Sequence, residues 1–502
     1  MSKAKPSRNL RRIGLFAGPI VALIIFLFMP EQYASINGET LEIGHATRTI
    51  AATVGWMAVW WITEAIPVYA TALIPLALLP AIGGLSIRSV AAPYSNEVIY
   101  LYLGGFIVAL TMQRWQLHKR VAYAALRLSG TTPRQIIGTF MAIAAIGSMW
   151  ISNTATTMML LPVVLSVITL VAERDDLPSQ ESNHNLSTAL LLGTAYGATI
   201  GGMGTIIGTP PNVFVVSYLQ NQLGIEISFA RWMTFGVPLV LVFGPLGWLL
   251  LTRWILPVGE KPIEGISELI EREQKSLGVM SIQEWRVLWV FLIMATLWIT
   301  RPLVTSIEIG GLQLFSGLTD AGIAIIAALS LFVIPAGDDR QQPLVNWETA
   351  TKLPWGLLLL YGGGLSLAAM MDQHGVSSYI GSLAIGMDGL PQIVIVVSVL
   401  LMMMLLSELA SNTATAATLI PIFAALAPAL GLNPLWLVIP AGFGASCAFM
   451  LPVSTPPNAI IFSTERFTIA EMVRAGVWLN MLGAIVISVI VYWVAMPLLG
   501  VS

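Results

Sequence analysis

The tripeptide Ser-Asn-Thr occurs twice, at Ser152, Asn153 and Thr154 and again at Ser411, Asn412 and Thr413. Each copy interrupts a long apolar stretch, 136–172 and 391–430, at its middle. Ser, Asn and Thr are the preferred helix N-caps. A helix that starts there presents unpaired backbone N–H groups and a partial positive charge of about half an elementary charge. That is an anion site. The hydroxyls and the amide add neutral donors, while the Asn carbonyl and nearby backbone oxygens can face a hard cation. Small polar residues also hydrogen-bond helices together in membrane bundles. The duplication and the mid-stretch position favour the ligand reading over that plainer one.

A second pair of motifs accompanies the first, GTPPN at 208–212 and STPPN at 454–458. Two consecutive prolines remove two backbone donors, and the residue before a proline is pushed out of the helical region. The segments 187–220 and 434–463 are therefore expected to be broken helices. Carbonyls freed around Thr205 to Gly208 and Val453 to Ser454 are natural ligands for Na⁺. Gly197, Gly201, Gly202, Gly204 and Gly208 permit close backbone approach. A simple kink is the plainer alternative.

Other chemistry is scarce. The single cysteine, Cys447, lies in an apolar run, and the four histidines are scattered, so neither a disulfide framework nor a thiolate metal site is available. Neither Ser-Asn-Thr has a histidine nearby to activate its serine, so no enzyme is expected. Four acidic residues lie in or near apolar segments, where such groups are functional candidates. Glu64 and Asp320 are read as turn or capping groups, and Asp372 completes the set with Glu408. Glu408 lies three residues before Ser411 and reads as structural support more than as a tuner of a cation site. No basic residue sits at either motif.

The elements that must position these motifs are membrane helices. The 502 residues are 56% hydrophobic and only 10% charged, whereas soluble domains carry about 25% charged residues. Eleven long apolar spans recur along the chain. The first, 13–29, follows a basic start as a signal peptide does, but no small-residue cleavage site closes it. The two stretches holding Ser-Asn-Thr read as re-entrant hairpins, since non-helical backbone is tolerated at membrane depth where protein or water surrounds it. A channel is disfavoured, because the polar residues cluster at two breaks and form no continuous stripe. With the N-terminus in the cytoplasm and the C-terminus outside, 20 of the 24 basic residues fall inside. These include Lys3, Lys5, Arg114, Lys119, Arg174, Arg340 and Lys352. Only Arg48, Arg88, Arg231 and Arg301 fall outside, as the positive-inside rule requires. The first hairpin then opens from the cytoplasm and the second from outside. The net charge of −2 gives no sign of a nucleic-acid partner.

The halves repeat. SNTATTMMLLP at 152–162 matches SNTATAATLIP at 411–421, MAVWWITEAIP at 57–67 echoes MATLWITRPL at 294–303, and YLGGFIVAL at 102–110 echoes LYGGGLSLA at 360–368. With the two proline motifs, four pairs stand in the same order. Hairpins opening to opposite sides make this an inverted-topology repeat, the device by which secondary transporters build a midplane site.

With both Ser-Asn-Thr motifs, the TEAIP segment at 63–67 and the run from Ser446 to Asn458, nearly the whole chain resembles the divalent anion/sodium symporter (DASS) family, transporters of dicarboxylates, citrate and sulfate. The resemblance implies an all-α polytopic membrane protein of 11 transmembrane helices plus two re-entrant hairpins, working as a homodimeric elevator in the cytoplasmic (inner) membrane. Residues 1–132 and 257–390 would form the scaffold, and 133–256 and 391–502 the transport domain. The first sodium site would use Ser148, Ser152, Asn153 and Gly208, and the second Ser407, Ala410, Asn412 and Ser454. The substrate carboxylates would meet Ser152, Asn153 and Thr154 on one side and Ser411, Asn412 and Thr413 on the other. Thr209, Pro210, Thr455 and Pro456 would line the pocket. Two intact motifs favour a C4-dicarboxylate such as succinate, fumarate or malate, co-transported with Na⁺. At least two Na⁺ are needed to neutralise a dianion that meets no basic residue. A Na⁺-independent dicarboxylate exchanger and a sulfate or tricarboxylate transporter are the alternatives within the family.

Overall fold

The computed structural model describes residues 8–35, 39–127, 129–172, 180–308, 312–337, 342–384 and 389–501. Lys3, Lys5, Arg174 and Arg340, counted above among the basic residues on the inside, lie outside these residues. The described chain is mostly helical. A short hairpin, β1 (Gln32–Ala34) with β2 (Thr40–Glu42), pairs Tyr33 with Leu41. The first half of the chain holds α1 (Arg8–Phe28), α2 (His45–Thr63), α3 (Ile74–Ile82), α4 (Glu97–Arg114), α5 (Leu117–Leu126), α6 (Pro133–Ser148), α7 (Asn153–Ala172), α8 (Gln180–Gly202), α9 (Pro210–Leu223) and α10 (Phe229–Leu250). The second half holds α11 (Ile266–Ser276), α12 (Ile282–Thr305), α13 (Asp320–Val333), α14 (Trp355–Gln373), α15 (Gln392–Leu409), α16 (Asn412–Leu426), α17 (Leu435–Ser446), α18 (Pro456–Phe462) and α19 (Ile469–Ile490).

Among the described residues, eight helical segments are long and apolar enough to cross a membrane. The expected spans near 320–335 and 434–449 appear as shorter apolar helices, Asp320–Val333 and Leu435–Ser446. The second is short because the proline motif breaks it.

Helix starts follow the local chemistry. Thr132 and Gln135 form a capping box that opens α6, with Pro133 at the first turn. Ser281 with Glu284 and Thr468 with Glu471 do the same for α12 and α19. At both Ser-Asn-Thr motifs one helix ends and the next begins, so α6–α7 and α15–α16 are helix pairs turning at the motif. At both proline motifs the helix is interrupted, between Gly202 and Pro210 and between Ser446 and Pro456.

Packing then crosses the halves. The post-break helix α18 lies against α7, and the post-break helix α9 lies against α16. Each broken helix thereby docks on the tip helix of the other half. The glycines of α8 allow its close contact with α6. A Cβ on Gly197 would lie 2.6 Å from the Met141 carbonyl oxygen, and one on Gly201 would run into the backbone of Ala145. Behind the breaks, Trp232 of α10 packs on Phe443 of α17 with ring centroids 5.4 Å apart, and both are buried.

Glu64 ends α2 at φ +45° and faces Arg11 at 3.5 Å. Asp320 is the first residue of α13, but its cap is Thr319. The Asp320 carboxylate instead accepts from the Phe229 backbone N–H at 2.7 Å and lies 2.8 Å from Arg301. It joins α10, α12 and α13 rather than capping its own helix.

Candidate functional site

A cavity of about 800 Å³ brings the two motif pairs together. Its inner wall carries Ser152, Asn153 and Thr154 from one tip, Ser411, Asn412 and Thr413 from the other, Gly208, Thr209 and Pro210 from one break and Ser454, Thr455 and Pro456 from the other. Residues 259 positions apart in sequence thus share one surface. Ser148, Ser407 and Ala410 lie just behind it, buried.

The caps are used unequally. Ser152 Oγ accepts from the Ala155 N–H at 3.3 Å, while Ser411 is the N-cap of α16 with no side-chain cap hydrogen bond. At the breaks the pattern reverses. Thr455 Oγ1 accepts from the Asn458 N–H at 3.4 Å, while Thr209, the N-cap of α9, leaves its side chain out of the cap. The hydroxyls of Ser411 and Thr209, which make no cap hydrogen bond among the described residues, and the helix starts beneath them line the cavity where an anion can use them.

Both breaks are stapled by the asparagine that ends the proline motif. Asn212 Nδ2 donates to the carbonyls of Gly202 at 3.1 Å and Thr205 at 2.8 Å. Asn458 Nδ2 donates to those of Ala448 at 3.0 Å and Leu451 at 3.1 Å. The acceptors lie ten and seven residues upstream in both halves. These asparagines belong to the repeated motif, and their role as staples was not among the expectations from sequence. The signal was there: an Asn beside two prolines that strand upstream carbonyls is a donor placed next to orphaned acceptors.

In the first half, oxygens converge. Asn153 Oδ1 accepts from Ser148 Oγ and lies 3.3 Å from the Ala198 carbonyl oxygen and 3.2 Å from that of Gly208. With Oδ1 inward, the amide and two carbonyl oxygens face one another with no hydrogen between them, an arrangement that a hard cation relieves. A half-turn of the amide brings Nδ2 to the same atoms and closes the cluster by hydrogen bonds instead. Gly202 makes room, since a Cβ there would lie 2.7 Å from Asn153 Oδ1. Ala198 belongs to this cluster and sequence reasoning missed it, because a backbone carbonyl in mid-helix leaves no mark on residue type.

In the second half, Ser407 Oγ and Asn412 Oδ1 are buried without a hydrogen-bond partner among the described residues. Ser454 Oγ donates to the Leu451 carbonyl at 2.6 Å. Glu408 buttresses the break from behind. Its Oε1 accepts from the N–H groups of Phe449 at 2.7 Å and Met450 at 2.9 Å and from Asn480 Nδ2 at 2.9 Å, and its Oε2 accepts from the Leu451 N–H at 3.2 Å. The carboxylate is a structural support, as the sequence suggested.

The cavity's outer wall differs. It carries Arg114 at the end of α4, His118 and Lys119 on α5, and Lys352 ahead of α14, with no Asp or Glu among its lining residues. Burial holds the His118 imidazole below its ordinary pKa, against the pull of the Met112 carbonyl 3.1 Å from Nδ1. The sequence placed these cations on one side of the membrane but far from either motif in the chain, and so did not bring them to the cavity.

Residues 13–501 match the family model described as the sodium:sulfate symporter transmembrane region. The chain is 39% identical over 493 residues to the sodium-dependent dicarboxylate transporter SdcS of Staphylococcus saprophyticus, covering 98% of this chain and 92% of that protein. It is 39% identical over 507 residues to SdcS of Staphylococcus aureus, covering 100% and 94%. Among solved structures, the YdaH transporter of Alcanivorax borkumensis is similar in fold, with a TM-score of 0.60 at 13% identity over 97% of this chain and 98% of that one. MtrF of Neisseria gonorrhoeae aligns with a TM-score of 0.59 at 14% identity, covering 97% and 96%.

Proposed function

This chain belongs to the sodium:sulfate symporter family of membrane transporters, and from that premise we propose that it couples Na⁺ entry to uptake of a C4-dicarboxylate. The observation that carries the reading is the convergence of both Ser-Asn-Thr tips and both Thr-Pro-Pro breaks on one cavity. Each tip offers hydroxyls, an amide and a helix start to one carboxylate. Behind each tip lie oxygens for one cation, gathered in the first half around Asn153 Oδ1 and in the second around Asn412, Ser407, Ala410 and Ser454. The sodium-dependent dicarboxylate transport named for the SdcS relatives supports the same substrate class and the same coupling ion.

Na⁺ binding and dianion binding reinforce each other in this arrangement. The cations sit just behind the amides whose donors face the carboxylates, and no basic residue of the motifs does that work. Eleven spans and two re-entrant hairpins, with the N-terminus in the cytoplasm, put the Lys119 side of the cavity toward the cytoplasm. An elevator in an inner-membrane homodimer, carrying 133–256 and 391–502 past 1–132 and 257–390, is the motion we assign. Uptake of labelled succinate into proteoliposomes tests the function. An inward Na⁺ gradient should drive accumulation, and replacing Na⁺ with K⁺ should abolish it. Uptake that persists without Na⁺ and requires internal dicarboxylate overturns symport in favour of exchange.

A further inference from the structure

The geometry points to a second, Na⁺-independent anion subsite on the outer wall of the cavity, formed by Arg114, Lys119 and Lys352, that takes a polycarboxylate at the mouth. It rests on the reading of the cavity as a carboxylate passage and goes beyond it in residues and in ion dependence.

Three observations carry it. First, the three cations come from separate segments, the end of α4, α5 and the approach to α14, yet line one cavity. Second, their charge is uncompensated there. Among the described residues Arg114 donates only to the neutral oxygens of Asn346 at 3.3 Å and Thr349 at 3.4 Å, and it lies 5.4 Å from the ring centroid of Trp115. Lys119 donates to the neutral Gln116 Oε1 at 3.3 Å. Lys352 is exposed, and none of the three takes part in a salt bridge among the described residues. A concave wall with one sign of charge focuses its field and concentrates counter-ions. Third, this wall shares the cavity with the neutral motifs. The most exposed of the three, Lys352, lines the same cavity as the half-buried Ser152 and Asn153.

The chemical division between the two walls fixes the ligand class. The inner wall has neutral donors and cation-ready oxygens, so its affinity depends on Na⁺. The outer wall supplies its own positive charge, so it needs no Na⁺ and favours anions of higher valence. A tricarboxylate held there occupies the mouth and hinders exchange of the dianion within.

Titration of the purified full-length chain with tricarballylate (propane-1,2,3-tricarboxylate) tests this, read by calorimetry in Na⁺-free potassium buffer at low ionic strength. Wild type should bind, and raising KCl toward 0.3 M should weaken binding, since that shortens the screening length from roughly 10 Å to about half that. Lys119→Gln with Lys352→Gln, both on accessible side chains, should weaken binding about fivefold, the factor expected for the loss of two accessible ion pairs. The same variant should keep Na⁺-dependent succinate binding, which also shows that it is folded. Asn153→Ala should leave Na⁺-free tricarballylate binding intact. No Na⁺-free binding by wild type, equal binding by the lysine variant, or loss of succinate binding in that variant each overturns the subsite. If wild type shows no Na⁺-dependent succinate binding, the proposed function fails, while the tricarballylate arm still reads the subsite.

Discussion

The two half-sites share a plan and differ in how each break is held. Position 149 of the first tip and position 408 of the second are equivalent in the repeat. Met149 offers only its backbone carbonyl, which accepts from Thr205 Oγ1 at 2.5 Å, and the same hydroxyl receives the Gly208 N–H at 3.1 Å. Glu408 offers a carboxylate that gathers three backbone N–H groups and the Asn480 amide. The first half therefore stays neutral and leans on glycine. Gly202 and Gly208 allow their backbones to touch, and a Cβ on Gly208 would run into the Gly202 carbonyl. The second half has Ala448 and Ser454 at those positions and fills the space with side chains. The repeat thus preserves what faces the cavity and the Asn staple of each break, and lets the support behind them diverge.

The largest expected effect lies where the halves agree. Asn153→Ala and Asn412→Ala should each abolish Na⁺-driven succinate uptake while membrane insertion, read by yield and a monodisperse elution profile, is kept. Near-normal uptake in one of them would break the equivalence of the halves and assign coupling to the other alone.

Next comes a site where the halves should respond differently. Gly208→Ala forces the crowded first break apart and should raise the Na⁺ concentration for half-maximal uptake by roughly 100-fold, equivalent to about 2.7 kcal/mol of lost binding. Ser454→Ala deletes a hydroxyl that donates to the Leu451 carbonyl and accepts from Asn458 Nδ2 at 3.1 Å, leaves that Asn its two carbonyl acceptors, and keeps the backbone carbonyl of residue 454. It should shift the same quantity by less than about tenfold, the worth of two neutral hydrogen bonds at the low end of their range. Equal shifts would mean that the two breaks are equally crowded, contrary to the glycine contacts.

How much of this was legible in the sequence follows from what leaves a mark on residue type. The caps of Ser-Asn-Thr and the lost donors of Pro-Pro are local properties, so helix ends and breaks fell where they were expected. The offset of 259 residues made the pairing of tips readable as well. The meeting of α9 with α16 and of α18 with α7 was not readable, because crossing between halves is a tertiary outcome. Ala198 was invisible because its contribution is a carbonyl. Arg114, Lys119 and Lys352 were visible as charges, and Glu408 as a buried acid beside a tip. Nothing in spacing could say that the first three would share a wall of the cavity.

The smallest expected effects on uptake concern the supports, and here the comparison can be measured as stability. Glu408→Ala leaves three backbone N–H groups and an amide without their acceptor in a buried position. Stranded buried donors cost about 1–3 kcal/mol each before relaxation, and breaking one side of a buried charged network costs about 3–5 kcal/mol. Thr205→Val keeps the shape and deletes one hydroxyl, leaving the Met149 carbonyl and the Gly208 N–H short of one partner each, a loss of about 1–2 kcal/mol. Thermal unfolding of the detergent-solubilised variants should therefore show Glu408→Ala well below Thr205→Val, and both below wild type. Saturating Na⁺ should raise the midpoint of each, because a ligand that binds only the folded state stabilises it. The rise should be larger for Thr205→Val, whose loosened break sits beside an oxygen cluster that a cation can reassemble. If Glu408→Ala unfolds no earlier than Thr205→Val, the carboxylate is not the stronger support, and the asymmetry between the halves would have to be sought in their packing.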